Sequence, residues 1–417
     1  MYGLLVFLLL LPSVALSAEI PHAVATQTTE QTTTSTTFVD VTGVALVDGD
    51  FVDGETYWIE VESSLAEIGN GHRVCVQLLH GSTTFEGSEH CGGRSATTKE
   101  YFGWGYGVRW TAVAGEGVKL QFKTQGGGQV YAHFSVLRAM RLSGYLVENT
   151  DYCYAERTTD DTLTTTATDG ASCTITMASA SDLLVKTHAL IEVNSGTGTM
   201  ESRIVRSGEA SSSTPQTTTT PDDTNAVYGL GLMRAYSVGT GSNTFKEQSQ
   251  TDTVSAHVRL YSNVFVLNLN KFTSHAFSYT DGATTLSNAG DYLTQLESIS
   301  VTPTVTGDVW IGASMIADKQ ASSGDSEMRI QVDGTDAMSG VTAASINYDN
   351  MNVTHTNNDV PVQMGAVVNV ASGSRTIDFD ASGDVSSGTD GKQTLLYAFT
   401  LDMPSGGQYI LTPMVMQ

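Results

Sequence analysis

The pattern of hydrophobic and polar positions along the chain predicts β-strands almost throughout. Val309 to Ile316 and Leu183 to Val193 are rich in β-branched and apolar residues, as buried strands are. Thr376 to Asp380 alternates polar and apolar residues, which is typical of a strand with one exposed face. Clusters of Gly, Asn, Asp and Ser separate such runs at short intervals. The pattern therefore predicts an all-β protein.

A faint repeat of roughly 125 residues divides the chain into three units. In each unit an acidic residue opens an apolar run and an arginine follows it, the arginines being Arg73, Arg203 and Arg329. These arginines are 130 and 126 residues apart. A long apolar strand, such as Leu395 to Leu401, closes each unit. The near-constant period predicts three tandem copies of one fold.

The second half of each unit also repeats, with Tyr106, Tyr228 and Gln363 opening the matching strands. Evenly spaced short strands in a unit of this length predict an antiparallel β-sandwich or jelly roll. In pattern, each unit resembles the jelly-roll modules of trimeric secreted head domains and of virion proteins. The resemblance implies three units packed around a pseudo-threefold axis or, alternatively, three separate beads on one chain.

Low-complexity stretches and the repeat boundaries together predict the domain organisation. Thr26 to Thr37 is Thr-rich and indicates a flexible stalk. Ser211 to Thr224 indicates an exposed loop in the second unit, with an interdomain linker as the alternative. The predicted segments are a signal peptide (1–18), a Thr-rich flexible segment (19–37), repeat 1 (38–146), repeat 2 (147–272, with an exposed loop at 208–225), repeat 3 (273–404) and a C-terminal tail (405–417).

The first eighteen residues have the pattern of an export signal. Leu4 to Leu11 is an apolar run, too short to cross a bilayer comfortably, and small residues follow at Ala15, Ser17 and Ala18. Before the run, the chain carries no Lys or Arg, so an uncleaved membrane anchor is the alternative. We predict cleavage after Ser17 or Ala18, an extracellular or cell- or virion-surface location, and no membrane insertion afterwards.

Four cysteines fit an oxidising compartment. Cys75 and Cys91 lie close in sequence, as do Cys153 and Cys173, so we predict these two local disulfides out of three possible pairings. A zinc site formed by the first pair with neighbouring histidines is the alternative.

The charge balance limits the partners. Acidic residues outnumber basic ones 44 to 20, which gives a net charge of −24. Such a field repels nucleic acid and favours cations. Acidic side chains crowd one turn in the first repeat, and because calcium prefers several oxygen ligands we predict calcium as the candidate ion for this turn, with no other cofactor expected. The predicted ligands are Asp48, Asp50, Asp53 and Glu55. Plain turn chemistry is the alternative for these residues.

An aromatic segment in the first repeat is the candidate binding surface. Its rings alternate with small residues, and exposed rings of this kind stack on sugars or anchor protein contacts. The predicted binding residues are Tyr101, Phe102, Trp104, Tyr106 and Trp110. The alternative is a Gly-rich strand that packs these rings into the core.

Asn352 lies in the glycosylation sequon Asn-Val-Thr.

Catalytic motifs do not emerge from the sequence. There is no Gly-x-Ser-x-Gly elbow, His-Glu-x-x-His motif or phosphate-binding loop. We therefore predict a non-enzymatic secreted or surface-exposed protein that acts by adhesion, ligand binding or assembly, its partner being a protein or carbohydrate ligand or copies of itself. A virion structural protein (tail, fibre or decoration component) is the first alternative. A secreted carbohydrate-active enzyme, such as a glycoside hydrolase, is the second.

Overall fold

The structure of the protein is a computed structural model. It describes residues 19–69, 72–92, 96–194, 199–209, 216–219, 227–252, 257–286, 294–319, 326–337, 358–383 and 389–404. The predicted signal peptide, the predicted C-terminal tail and Asn352 lie outside these residues.

Strands make up most of the described chain and fall into three consecutive units. The first unit contains β1 (His22–Gln27), β2 (Gln31–Thr33), β3 (Val39–Leu46), β4 (Thr56–Gly69), β5 (Arg73–His80), β6 (Thr83–Thr84), β7 (His90–Gly92), β8 (Ala96–Thr111), β9 (Val118–Gln125) and β10 (Val130–Arg141). The second contains β11 (Tyr152–Arg157), β12 (Asp161–Thr162), β13 (Thr168–Met177), β14 (Ser181–Val193), β15 (Met200–Arg206), β16 (Gln216–Thr219), β17 (Val227–Val238), β18 (Gly241–Thr251) and β19 (His257–Asn268). The third contains β20 (His275–Thr285), β21 (Thr294–Val301), β22 (Gly307–Lys319), β23 (Ser326–Val332), β24 (Thr335–Asp336), β25 (Asn358–Val370), β26 (Arg375–Gly383) and β27 (Thr389–Thr400).

Helical structure in the described residues is limited to short 3-10 turns at Asp48–Asp50 and Leu269–Lys271. The same part of the chain holds no helix with the length and apolar character needed to cross a membrane.

Each unit is a sandwich of two antiparallel sheets with the same strand order. The inner sheets run β1-β10-β4-β8, β11-β19-β14-β17 and β20-β27-β22-β25. The outer sheets run β3-β9-β5-β7, β13-β18-β15-β16 and β21-β26-β23-β24. Most consecutive strands thus lie alternately in the two packed sheets, and neighbours within one sheet are distant in sequence, which is the jelly-roll arrangement. The predicted fold class, three tandem antiparallel jelly-roll-like units, is confirmed.

Burial explains why the inner and outer strands differ in sequence. In β9 buried and half-buried residues alternate, because one face of an outer sheet packs on the core and the other meets solvent. In β4 every residue from Tyr57 to Glu67 is buried. An inner sheet is covered on one face by its own outer sheet and on the other by neighbouring units. This double burial gives the inner strands their long apolar runs.

The Thr-rich segment is not a flexible stalk. Its β1 and β2 pair with β10 as an edge of the first inner sheet. Ile20 is fully buried, and its N–H donates to the carbonyl of Leu401 at 2.9 Å. The composition indicated disorder, but Thr is β-branched and suits a half-exposed edge strand.

The predicted exposed loop 208–225 also contains a strand. β16 pairs with β15, and its Thr218 lies opposite Asp359 of the third unit. The flanking residues 210–215 and 220–225 lie outside the described residues. A run of threonines again forms a strand where its composition predicted a loop.

Both predicted disulfides are confirmed. Cys75–Cys91 joins β5 to β7 within one sheet, and Cys153–Cys173 joins β11 of the inner sheet to β13 of the outer sheet. The first bridge removes the thiolates on which the zinc alternative depended.

The three units pack cyclically around a common centre. The outer-sheet strand β7 pairs with β17 of the second unit through Cys91 and Val227, and β16 pairs in the equivalent way with β25 of the third. The inner-sheet edge strands β8, β17 and β25 contact one another at the centre. Of the two arrangements implied by the sequence, the pseudo-threefold one is present.

Candidate functional site

Strand register defines equivalent positions in the three units. The first residues of β1, β11 and β20 face equivalent closing-strand residues, namely Met140, Leu267 and Phe399. Two residues earlier on those closing strands lie Arg138, Phe265 and Tyr397. Opposite these three, on the central inner strands, lie Glu60, Lys186 and Gly312. All six positions face the centre where the units meet.

Chemically different residues at these equivalent positions complement one another. The Lys186 ammonium of the second unit donates to Glu60 of the first and, at 2.8 Å, to the Tyr397 hydroxyl of the third. Arg138 of the first unit pairs with Glu62 and with Glu60, the latter at 3.2 Å. These side chains are all buried, the most exposed being Lys186 at 7%. We call Glu60, Glu62, Arg138, Lys186 and Tyr397 the central ionic cluster.

Arg138 also connects the first unit to the third. Its guanidinium donates to the carbonyl of Ile311 at 2.7 Å and to that of Ala366 at 3.3 Å. It lies over the ring of Trp310, 4.4 Å from the centroid. A planar guanidinium, with several donors and a stackable face, can make all these contacts at once.

Glycines allow the inner edge strands to approach the axis. Gly105, Gly231 and Gln363 occupy equivalent positions on β8, β17 and β25. A Cβ on Gly231 would lie 2.8 Å from the Gln363 amide nitrogen and 3.0 Å from the Gly105 carbonyl oxygen. A cavity of about 10 Å³ remains beside them, lined by all three units. This volume corresponds to roughly one water molecule.

The boundary between the first two units is both aromatic and polar. Trp58 stacks on Phe265 with centroids 3.9 Å apart. The Asn263 amide donates to the carbonyl of Gly107 at 2.7 Å. The His188 ring contacts the carbonyl of Gly87 at 3.1 Å. Backbone polar groups at this boundary therefore have partners across it.

Burial governs the protonation of these groups. It lowers the pKa of Lys186 well below its usual value and raises that of Glu62, where the Arg138 charge acts in the opposite direction. It lowers the pKa of His188 to about 4, and that of His90, which also feels His188, to about 3. Both histidines are thus neutral at pH 7, whereas at Lys186 and Glu62 burial opposes the charged form and the neighbouring group of opposite charge favours it. The contacts of Lys186 with Glu60 and of Arg138 with the carbonyl of Ile311 join different units.

The central ionic cluster was not predicted from the sequence. A charged residue inside an otherwise apolar inner strand was the available signal, as with Lys186 in Leu-Val-Lys-Thr-His and Arg138 in Val-Leu-Arg-Ala-Met. A charge in such a run is rarely left buried without a partner.

The predicted aromatic binding surface is wrong for three of its five rings. Trp104 and Tyr106 are 2% exposed and Trp110 is 7% exposed. Trp110 packs edge-on against Phe51 at 5.0 Å, and the Tyr106 hydroxyl donates to the carbonyl of Glu86 at 2.6 Å. Trp110 is thus covered by the first unit itself, whereas Tyr106 meets His188 and Trp104 lies beside Gly229, both of the second unit. The side chains of Tyr101 and Phe102 lie outside the described structure.

The predicted calcium ligands do not converge. Asp48 accepts from the N–H of Gly115 at 2.8 Å, and Asp50 from that of Val47 at 2.7 Å. Glu55 contacts Arg141 and Ser143, each at 2.5 Å. Asp48, Asp50 and Asp53 are exposed. No three of the four predicted ligands, all described, bring donor atoms within 4.8 Å of one another.

Two unit boundaries share a histidine–aspartate pair. His22 Nε2 lies 2.9 Å from Asp308 Oδ2, between the first and third units. His275 Nε2 lies 3.2 Å from Asp182 Oδ2, between the third and second. By strand register these pairs are equivalent, and at the remaining boundary Tyr152 and Thr56 occupy the two positions. The repeated pair supports the cyclic arrangement.

Comparisons with known proteins give similarity of structure alone. No family model and no curated protein matches the chain. The triple-jelly-roll turret protein of an archaeal virus is 9% identical, with 90% of this chain and 91% of that chain covered and a TM-score of 0.17. The infectious bursal disease virus VP2 particle protein is 11% identical, with coverages of 86% and 76% and a TM-score of 0.24.

A carbohydrate-binding module of a multidomain xylanase from the hindgut metagenome of Trinervitermes trinervoides covers less of the chain. It is 12% identical, with 30% of this chain and 95% of that chain covered and a TM-score of 0.19. At these identities and scores, none of these similarities carries an inference about what this chain does.

Proposed function

We propose that this chain is a non-enzymatic structural or binding protein of an exterior surface, acting as one rigid three-lobed body. The observation that carries the proposal is the central ionic cluster, in which one buried group, Lys186, contacts both other units. Charges buried in this way oppose relative motion of the units, because separating them leaves an unpaired charge in an apolar setting. The two disulfides favour an oxidising compartment.

A rigid body of this kind suits assembly into a surface layer or particle, or the display of ligand-binding loops. The partner is then another copy of the chain, a protein or a carbohydrate. The jelly-roll fold is common to proteins with both roles, so the choice between them needs an experiment.

Negative-stain electron microscopy of the purified mature protein, with and without calcium, tests the proposal. Filaments, sheets or rings would support assembly, and separate uniform particles that bind a glycan or protein array would support a binding role. Release of sugars from a polysaccharide panel would overturn the non-enzymatic assignment. A chain retained with an intact Met1 in the cytoplasm would overturn the exterior location.

A further inference from the structure

A histidine and two carboxylates meet where the beginning of the described chain reaches the third unit. His22 opens β1, Asp308 lies at the start of β22, and Glu19 forms an isolated bridge with Asp402. The donor atoms of Glu19, His22 and Asp308 all lie within 4.8 Å of one another. In the described part of the chain this is the one group of three such donors.

Hydrogen bonds orient both central donors. His22 Nδ1 lies 3.1 Å from the carbonyl oxygen of Ile20, which can only accept, so Nδ1 carries a hydrogen atom. The Asn369 amide donates to Asp308 Oδ1 at 2.7 Å. In a neutral ring this leaves Nε2 of His22 without a hydrogen atom. Nε2 and Asp308 Oδ2, which lie 2.9 Å apart, are then both hydrogen-bond acceptors. A second ring proton or a metal ion must lie between them, and a histidine held through Nδ1 is the usual arrangement of a metal ligand.

Among the described residues, the equivalent pair between the third and second units lacks a third donor. His275 and Asp182 have the same placement, and the Ser237 hydroxyl donates to Asp182 Oδ1 at 2.7 Å, as Asn369 does to Asp308. Yet that pair does not belong to a group of three donors in the described residues. Glu19 therefore distinguishes the boundary between the first and third units from its repeat.

Asp402 lies beside these donors. It is 7% exposed. It lies against Gly307, the neighbour of Asp308, where a Cβ would be 3.5 Å from Asp402 Oδ2. A further carboxylate next to Asp308 adds negative charge, which favours a cation at this place.

We propose that Glu19, His22 and Asp308 bind one divalent transition-metal ion, with Asp402 adding negative charge beside it. One imidazole nitrogen with carboxylate oxygens suits zinc or manganese, whereas calcium prefers six to eight oxygens. The ion ties the first strand to the third unit and thereby closes the cyclic arrangement. This proposal is independent of the proposed function, because the protein binds or fails to bind metal whatever its partner is.

Isothermal titration of the chelator-treated mature protein with zinc, manganese and calcium chlorides tests it. We expect one zinc ion per chain, no calcium at this site, and a loss of zinc affinity of at least about tenfold in His22→Gln and Asp308→Asn. Glu19→Gln keeps the His22–Asp308 pair, so its loss of zinc affinity would not reflect misfolding. His275→Gln is the matched control and should bind zinc as the parent does.

Two results would overturn the proposal. The first is no zinc uptake by the parent chain, which would mean that a proton joins His22 to Asp308. The second is a Glu19→Gln or His22→Gln protein that binds zinc as tightly as the parent or the control.

Discussion

Arg138 shows what a buried charge does in this molecule. It is fully buried and contacts Glu60 and Glu62 of its own unit and the backbone of the third. A buried ion pair adds little stability over an apolar pair of the same size, but breaking it is costly. Its contribution is thus to fix one arrangement of the units, since any other arrangement would leave charges without partners.

Replacing Arg138 by Met should lower the free energy of unfolding by about 3–5 kcal/mol, because Glu62 is left buried without a cation. The double variant Arg138→Met, Glu62→Gln should recover a large part of the loss. Urea denaturation measures both. Arg375→Met, which breaks the solvent-exposed pair with Asp333, is the control and should cost at most about 1 kcal/mol. Equal losses in both single variants would contradict this assignment.

Acid should destabilise the protein through His188. Its pKa is about 4 when folded, below the ordinary value near 6.5 of the unfolded chain. Between those values the unfolded chain binds a proton that the folded protein does not, so stability falls as pH decreases through that window. The slope is roughly 1.4 kcal/mol per pH unit for this histidine.

The difference between parent and His188→Gln isolates this slope from other titrating groups. Urea unfolding at several pH values between about 4 and 6.5 should give a flatter dependence for the variant. His275→Gln, at a more exposed histidine, serves as the control. A variant with the parent's slope would show that His188 does not titrate in this way.

At the scale of elements, the spacing of the inner strands depends on small residues. A Cβ on Gly107 of β8 would overlap the ring of Trp58, which is stacked on Phe265 and cannot easily move. Gly239, between β17 and β18, has open space around it. The two glycines therefore offer a matched comparison.

Gly107→Ala should lower the free energy of unfolding by about 1–3 kcal/mol, as overpacking a core does. Gly239→Ala should change it by less than about 0.5 kcal/mol. Thermal and urea unfolding of the two variants measure the difference. Similar stabilities would mean that β4 and β8 adjust without cost.

The first strand should behave as part of the fold. Deleting residues 19–33 removes β1 and β2, exposes the edge of β10 and takes away the buried Ile20. We expect a lower melting temperature and a tendency to aggregate through the uncovered edge. Differential scanning fluorimetry and size-exclusion chromatography test this, with Val24→Thr at a 44% exposed position as the control. A deletion variant as stable as the parent would restore the flexible-stalk interpretation.

At the scale of the whole molecule, the cyclic packing predicts a compact particle. A single compact body of about 400 residues has a radius of gyration of about 21 Å. Small-angle scattering should give a value near this, and unfolding should be one cooperative transition because the units share a core. A maximum dimension near three unit lengths, or three separate transitions, would contradict the packing described above.

Local pattern determined much of this protein. Alternating and continuous apolar runs specified strands, because side chains on a strand alternate between its two faces. Cysteine spacing specified both disulfides, since each pair lies within one unit. The period of the arginines indicated three units, each of which folds with the same strand order. These features depend on residues close in sequence or on repetition.

Tertiary structure decided what covers each strand. The aromatic residues of β8 looked like a surface, but Trp110 packs into the core of its own unit and Tyr106 meets His188 of the second unit. Strand register aligns Tyr106 with Leu232, not with Tyr228, because short motifs do not fix register while cross-strand pairing does. Lys186 meets Glu60 and Tyr397 across distances in sequence that no local pattern encodes. Contacts between units depend on the packing of whole sheets, and the local sequence pattern does not predict that packing.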